Sequence, residues 1–174
     1  MLADPNTILE SFDLDILDLS EVGTIFGEHT NNGDLLFLSG EVGAGKTEFA
    51  RQIIKAKATK ENLDIEKISS PTFSLIQSYE FQYCKISHID LYRLNSEQEL
   101  LELGIPDIFD NQIILLEWPE ILQIKNFSRK VGIEIKETKE TKEARVIRIE
   151  FFGNGWGDLI ASLSRSGHFS DEKI

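Results

Sequence analysis

Gly40-Glu41-Val42-Gly43-Ala44-Gly45-Lys46-Thr47 satisfies the pattern G-x-x-x-x-G-K-[ST] at every fixed position. Its flanks narrow the fold further. Asp34-Leu35-Leu36-Phe37-Leu38 is a short apolar run, the signal of a buried strand. Phe49, Ala50, Ile53, Ile54 and Ala58 then recur at helical spacing and make one apolar face. A strand, a glycine loop and a helix in this order form a phosphate cradle. Glycines let backbone N–H groups turn inward around phosphate oxygens, and the helix N-terminus adds partial positive charge. In such a cradle Lys46 reaches the β- and γ-phosphates and the Thr47 hydroxyl ligates Mg²⁺. The alternative, a glycine-rich turn carrying a surface lysine, leaves the flanking strand and helix unexplained.

The rest of the composition limits what can surround that loop. A chain of 174 residues with 41% hydrophobic and 28% charged residues is expected to form one soluble domain. No apolar run approaches membrane-spanning length, and Met1-Leu2-Ala3-Asp4-Pro5-Asn6 lacks a secretory signature. The expectation is a cytoplasmic protein with no membrane partner. The single cysteine, Cys84, excludes an internal disulfide and reads as a small buried residue. A net charge of -12 argues against tight independent binding to nucleic acid, which needs clustered Lys and Arg.

Along the chain, residues 1–12 read as a lead-in or an edge strand, and Asp15 to Gly27 as a helix. The helix after the loop is expected to run to about Ala58. Ser74 to Phe81 and Lys85 to Asp90 read as an antiparallel hairpin. Ser70 and Thr72, beside Pro71, read locally as loop hydroxyls, and Asp90 as a turn or cap acid. Beside a phosphate loop, an acid such as Asp90 often completes the Mg²⁺ environment. His88, in phase with Asp90, is expected to be structural and hydrogen-bonded. Asn95 reads as the N-cap of a short helix closed by Gly104. Gln112-Ile113-Ile114-Leu115-Leu116-Glu117 predicts a central strand covered on both faces, ending in an acid where open α/β sheets place ligands. Trp118 lies either in the core or at the rim beside the nucleotide. Val131 to Ile135 and Val146 to Phe152 alternate with period two around a charged tip. Trp156 to Ser164 suggests a closing helix, and residues 167–174 a loose tail.

Gly40 to Thr47, Ser70-Pro71-Thr72-Phe73, His88-Ile89-Asp90-Leu91-Tyr92-Arg93, Glu102-Leu103-Gly104-Ile105 and Glu117-Trp118-Pro119 occur in an order that resembles the bacterial TsaE (YjeE) family. The resemblance implies the ATPase component of the machinery that makes threonylcarbamoyladenosine at position 37 of certain tRNAs. It implies TsaB- and TsaD-type protein partners, and tRNA contacted only indirectly. By the same resemblance Lys46 and Thr47 are nucleotide and Mg²⁺ residues, and Thr72 senses the γ-phosphate. Asp90 and Glu117 are acids of the metal site, with Trp118 adjacent. Residues near Asp15, and Lys142 or Arg145, fall where relatives touch nucleotide. Glu48 departs from the Thr or Ser common among relatives, and its carboxylate is expected to oppose a bound polyanion.

The fold expected is α/β, a single domain of P-loop NTPase type with a mainly parallel central sheet and antiparallel extensions. The expected activity is Mg²⁺-dependent ATP hydrolysis, with Lys46, Glu117, Asp90 and Thr72 as its catalytic groups. Gly40, Glu41, Val42, Gly43, Ala44, Gly45, Lys46, Thr47, Glu48 and Trp118 are the expected nucleotide contacts. Two alternatives share the loop. A small-molecule kinase needs an arginine-bearing lid, and Arg93, Arg129, Arg145 and Arg148 do not sit in a lid-like run. A nucleotide-dependent binding switch needs no turnover.

Overall fold

The run of aliphatics Ile113–Glu117 is strand β5, buried at all five positions. Its neighbours explain the burial. In the computed structural model, which describes residues 7–65, 67–105, 109, 111–122, 129–138 and 143–171, β5 runs parallel between β2 (Leu35–Ser39) and β4 (Lys85–Asp90). Residues 106–108, residues 139–142 of the charged tip with Lys142, and both ends of the chain lie outside the described residues.

Among the described residues one eight-stranded sheet forms, in the order β3-β4-β5-β2-β6-β7-β1-β8. β3 is Ile76–Glu80, β6 is Arg129–Glu137 and β7 is Arg145–Gly153. β1 is Ile8–Ser11 and β8 is Phe169–Asp171. The sheet is mixed, with a parallel centre and the antiparallel extensions expected. Three ladders are parallel and four antiparallel. The cause lies in the connections. The links within β3–β4 and β6–β7 are too short for a crossover helix, so each pair must run antiparallel. The parallel part is confined to β4, β5, β2 and β6.

Three helices cover one face: α1 (Ile16–His29), α2 (Lys46–Lys60) and α4 (Gly157–Ser166). Phe26 and Phe49 meet edge to face at 5.5 Å in that core. α3 (Glu97–Glu102) contributes Leu100 to a smaller cluster on the other face, with Leu35, Ile89, Ile114 and Leu116. Each such fully buried aliphatic contributes about 1.5–3 kcal/mol. Among the described residues no helix is long and apolar enough to cross a membrane.

Several expectations shift in detail. Gly27 does not end α1. The helix continues two residues, and Gly27 is where α2 comes closest, since a Cβ there would lie 2.5 Å from the Ala56 Cβ. α3 is capped by Ser96, whose hydroxyl accepts from the Glu99 N–H, and not by Asn95. β1 is not an edge strand, because β8 pairs beyond it. The loose tail expected at 167–174 therefore includes a strand at Phe169–Asp171, with Phe169 7% exposed. Its burial against the core holds a segment too short to show alternation.

Candidate phosphate and cation site

The loop from Gly40 to Gly45 is shaped by what crowds it. Gly40 has φ 133°, and a Cβ there would overlap the carbonyl oxygen of Ile135 on β6. Only glycine fits a positive φ at such close approach. Gly45, at φ 114°, precedes α2, and no side chain caps the helix. The first N–H groups of α2 therefore keep their donors for an anion.

Lys46 begins α2 and folds back over the loop. Its Nζ donates to the carbonyls of Gly40 at 2.7 Å and Glu41 at 2.8 Å, and lies 3.9 Å from the Trp118 ring centroid. Burial lowers its pKa below the usual lysine value, while Glu117, Asp90 and Glu120 push it back up. The ammonium is thus held in a water-poor place by carbonyls, a ring face and nearby acids.

Those acids come from the parallel pairing. The register sets Asp90 opposite Glu117, so β4 and β5 end in two neighbouring carboxylates, 3% and 2% exposed. Each is committed. Glu117 accepts from the Thr47 hydroxyl at 3.0 Å through Oε2, and its Oε1 lies 2.8 Å from His88 Nε2. Asp90 accepts from the Thr72 hydroxyl at 2.5 Å and from the Tyr92 N–H at 2.9 Å. Ser70 Oγ is 2.8 Å from Thr72 Oγ1 and extends the chain of hydroxyls.

Lys46, Thr47, Thr72, Asp90, Glu117 and Trp118 all line one open cavity of about 260 Å³, with Val42, Gly43 and Gly45 from the loop. Trp118 stands at its rim. Its backbone is left-handed, φ 59°, with the N–H donating to Leu38 O at 3.2 Å, and this turn brings the ring over Lys46 and 5.0 Å from Tyr92. A larger groove of about 620 Å³ between α1 and α2 carries neither a glycine loop nor paired acids. Among the described residues no three His, Cys, Asp or Glu side chains converge on a metal site. Two carboxylates and a hydroxyl suit a hard cation that brings water and phosphate oxygens of its own.

Glu48 does not face the cavity. Its carboxylate is taken by the next helical turn, 3.0 Å from Arg51 Nη1 and 2.6 Å from Gln52 Nε2. Partners three and four residues on are the natural ones for a helical acid. The expected repulsion is therefore largely relieved. Arg51 also donates to Ile68 O at 2.9 Å, so the pair ties α2 to the segment leading into Ser70-Pro71-Thr72. Glu48→Thr is accordingly expected to change ADP affinity by less than about twofold, ~0.4 kcal/mol. Calorimetric titration at low and high salt checks this, and a salt-sensitive gain of fivefold would contradict it.

Arg145 reaches the loop from behind, donating from Nε to Ala44 O at 2.8 Å. Its backbone exchanges two hydrogen bonds with Leu14. Asp15 is the N-cap of α1, its carboxylate committed to the Leu17 and Asp18 N–H groups. Cys84 is half-buried rather than buried, and desolvation raises its thiol pKa. His88 is the residue whose place the sequence understated. It is buried, and hydrogen-bonded as expected, but its partner is a carboxylate of the cavity. The signal was its two-residue phase with Asp90.

The model of the family described as "Threonylcarbamoyl adenosine biosynthesis protein TsaE" matches residues 15–147. The chain is 34% identical over 128 residues to the tRNA threonylcarbamoyladenosine biosynthesis protein TsaE of Rickettsia typhi, covering 74% of this chain and 86% of that protein. It is 33% identical over 141 residues to the protein of the same name from Bacillus subtilis, covering 80% and 83%. The crystal structure of Bacillus subtilis YdiB aligns with TM-score 0.68 over 95% of this chain and 100% of that one, at 22% identity, a likeness of fold. On the family match and these identities, the chain belongs to the TsaE family.

Proposed function

We propose that this chain is a cytoplasmic, Mg²⁺-dependent ATPase of P-loop NTPase fold that serves the formation of threonylcarbamoyladenosine in tRNA, together with other protein components of TsaB and TsaD type. One observation carries the reading. An uncapped helix start and its glycine loop face two buried strand-end acids, and Thr47 already donates to one of them. The family membership and the names of the relatives support the pathway.

The residues present fit the groups this reading needs. The loop amides, the start of α2 and Lys46 would hold the β- and γ-phosphates. Thr47, Glu117 and Asp90 would hold Mg²⁺, which when bound neutralises charge on the transferring phosphoryl group. Lys46 adds a cation whose position is set by two carbonyls and a ring, so little reorganisation is needed when charge develops. Thr72 has a hydroxyl that can exchange the carboxylate of Asp90 for a ligand oxygen, a basis for sensing the γ-phosphate. Positioning and charge neutralisation suffice for phosphoryl transfer to water, and no covalent intermediate is required.

The test is ATP turnover by the chain alone and with the partner proteins. Weak turnover alone, raised by the partners, is expected. Absence of ATP binding and turnover under both conditions would refute the reading, and a phosphorylated small-molecule product would favour a kinase. The net charge of -12 leads to a second expectation: the isolated chain should not bind tRNA tightly near physiological salt. Submicromolar, salt-sensitive binding in a filter or anisotropy assay would overturn it.

A further inference from the structure

We propose that His88 is a positioning residue for the cation site. From inside the sheet it holds one carboxylate oxygen of Glu117 and so presents the other to Thr47 and to Mg²⁺. The proposal rests on the reading of Glu117 as a cation-site acid.

His88 lies on β4 and is 0% exposed, and Glu117, on the adjacent parallel strand, is 2% exposed. The side chain of Glu117 is gripped from two elements. His88 Nε2 is 2.8 Å from Oε1, and Thr47 Oγ1 of α2 donates to Oε2 at 3.0 Å. With a carboxylate oxygen as its partner, Nε2 is the donating nitrogen of the ring. Nδ1 has no hydrogen-bond partner among the described residues. A buried histidine kept for stability is ordinarily satisfied at both nitrogens, because a buried polar atom left alone costs free energy. Among the described residues the sole polar engagement of the ring is with Glu117.

The grip has a competitor to oppose. Lys46 lines the same cavity, and the charge of Glu117 is the largest of the acid influences on its ammonium. A glutamate free to change rotamer would be drawn toward Lys46. Such an ion pair would occupy both the cation expected to meet phosphate and the oxygen expected to meet Mg²⁺. A donor on β4, two residues before Asp90 on the same face, prevents that collapse from within the sheet. Second-sphere partners of this kind orient metal-binding carboxylates.

Two variants separate positioning from packing. H88Q places an amide N–H near the position of Nε2, whereas H88N ends near Nδ1 and cannot reach Glu117. Both put a buried amide in place of the ring, so a merely structural role predicts the same behaviour for the two. H88N is expected to need about tenfold more Mg²⁺ for half-maximal Mg²⁺-dependent ADP binding, read by calorimetry, while H88Q stays close to the parent. In an E117Q background, H88N is expected to add no further loss. On the unmodified protein, long-range ¹H–¹⁵N spectra should show His88 as the Nε2–H tautomer, whatever the folding of the variants. An Nδ1–H tautomer overturns the proposal. Equal Mg²⁺ responses of H88Q and H88N overturn it too, and leave the reading of Glu117 standing. If the parent itself shows no Mg²⁺-dependent nucleotide binding, that reading fails and the proposal falls with it.

Discussion

Lys46→Ala is expected to abolish measurable ATP hydrolysis while the protein stays folded. The loss should be at least about 10³-fold, ~4 kcal/mol of barrier. The magnitude follows from what the ammonium does. It is the one lysine lining the cavity among the described residues, and it is held beneath Trp118 by two loop carbonyls. A charge fixed in a water-poor site is worth far more to a developing anion than the same charge in solvent. The fold should survive because the lost bonds belong to an open loop. Burial already disfavours the ammonium there, so its removal also removes a desolvation cost. Turnover by purified variant and parent, with circular dichroism and thermal unfolding as controls, checks both halves. Unchanged turnover in a folded variant would remove the basis for the whole functional reading.

Glu117→Gln is expected to slow hydrolysis at least tenfold, about 1.4 kcal/mol, and to weaken the dependence on Mg²⁺. The substitution is nearly isosteric, so the pairing of β5 with β2 and β4 should hold. What changes is the pair of acceptors. One oxygen can still take the proton of His88, but the other position becomes an NH₂ aimed at the Thr47 hydroxyl. An N–H donor cannot ligate a cation, and the site loses a negative charge beside Lys46. Initial rates across a Mg²⁺ titration make the test. Parent-like rates with the same Mg²⁺ midpoint would assign Glu117 a structural role.

How far these residues could be read before folding depended on the range of the forces that place them. The loop, β5 and the acid that ends it were legible because their signals are local. Glycines at fixed spacing and an unbroken aliphatic run need no tertiary information. Asp90 was legible as a strand-end acid in a chain with a phosphate loop, but its position opposite Glu117 depends on β4 lying parallel to β5. The direction of Glu48 was not legible. Phosphate repulsion, helix dipole and side-chain partners all act on it with similar strength, and Arg51 and Gln52 decide the outcome at hydrogen-bond distance. His88 was expected to be hydrogen-bonded, as it is, but the identity of its partner required the neighbouring strand. Nor could the left-handed turn of Trp118 be anticipated, because a tryptophan at φ 59° runs against its own preference. β8 escaped because a three-residue strand shows no period and is held by burial of Phe169.

That short strand bears on self-association. A sheet edge offers unpaired N–H and C=O groups to any other strand that meets it, and proteins blunt such edges with brevity and charge. Phe169–Asp171 does this for β1 with only three residues. The family match ends at residue 147, inside β7, so a fragment cut there would lose most of β7, all of α4 and β8. It would leave β6, nine residues long, without most of its antiparallel partner and with an edge open to a second copy. The residues lining the cavity, Val42 to Trp118, are all present in such a fragment, yet it is expected to favour aggregates over monomers. The closing strand and helix line no part of the cavity, yet they cover the edge of the sheet that bears it.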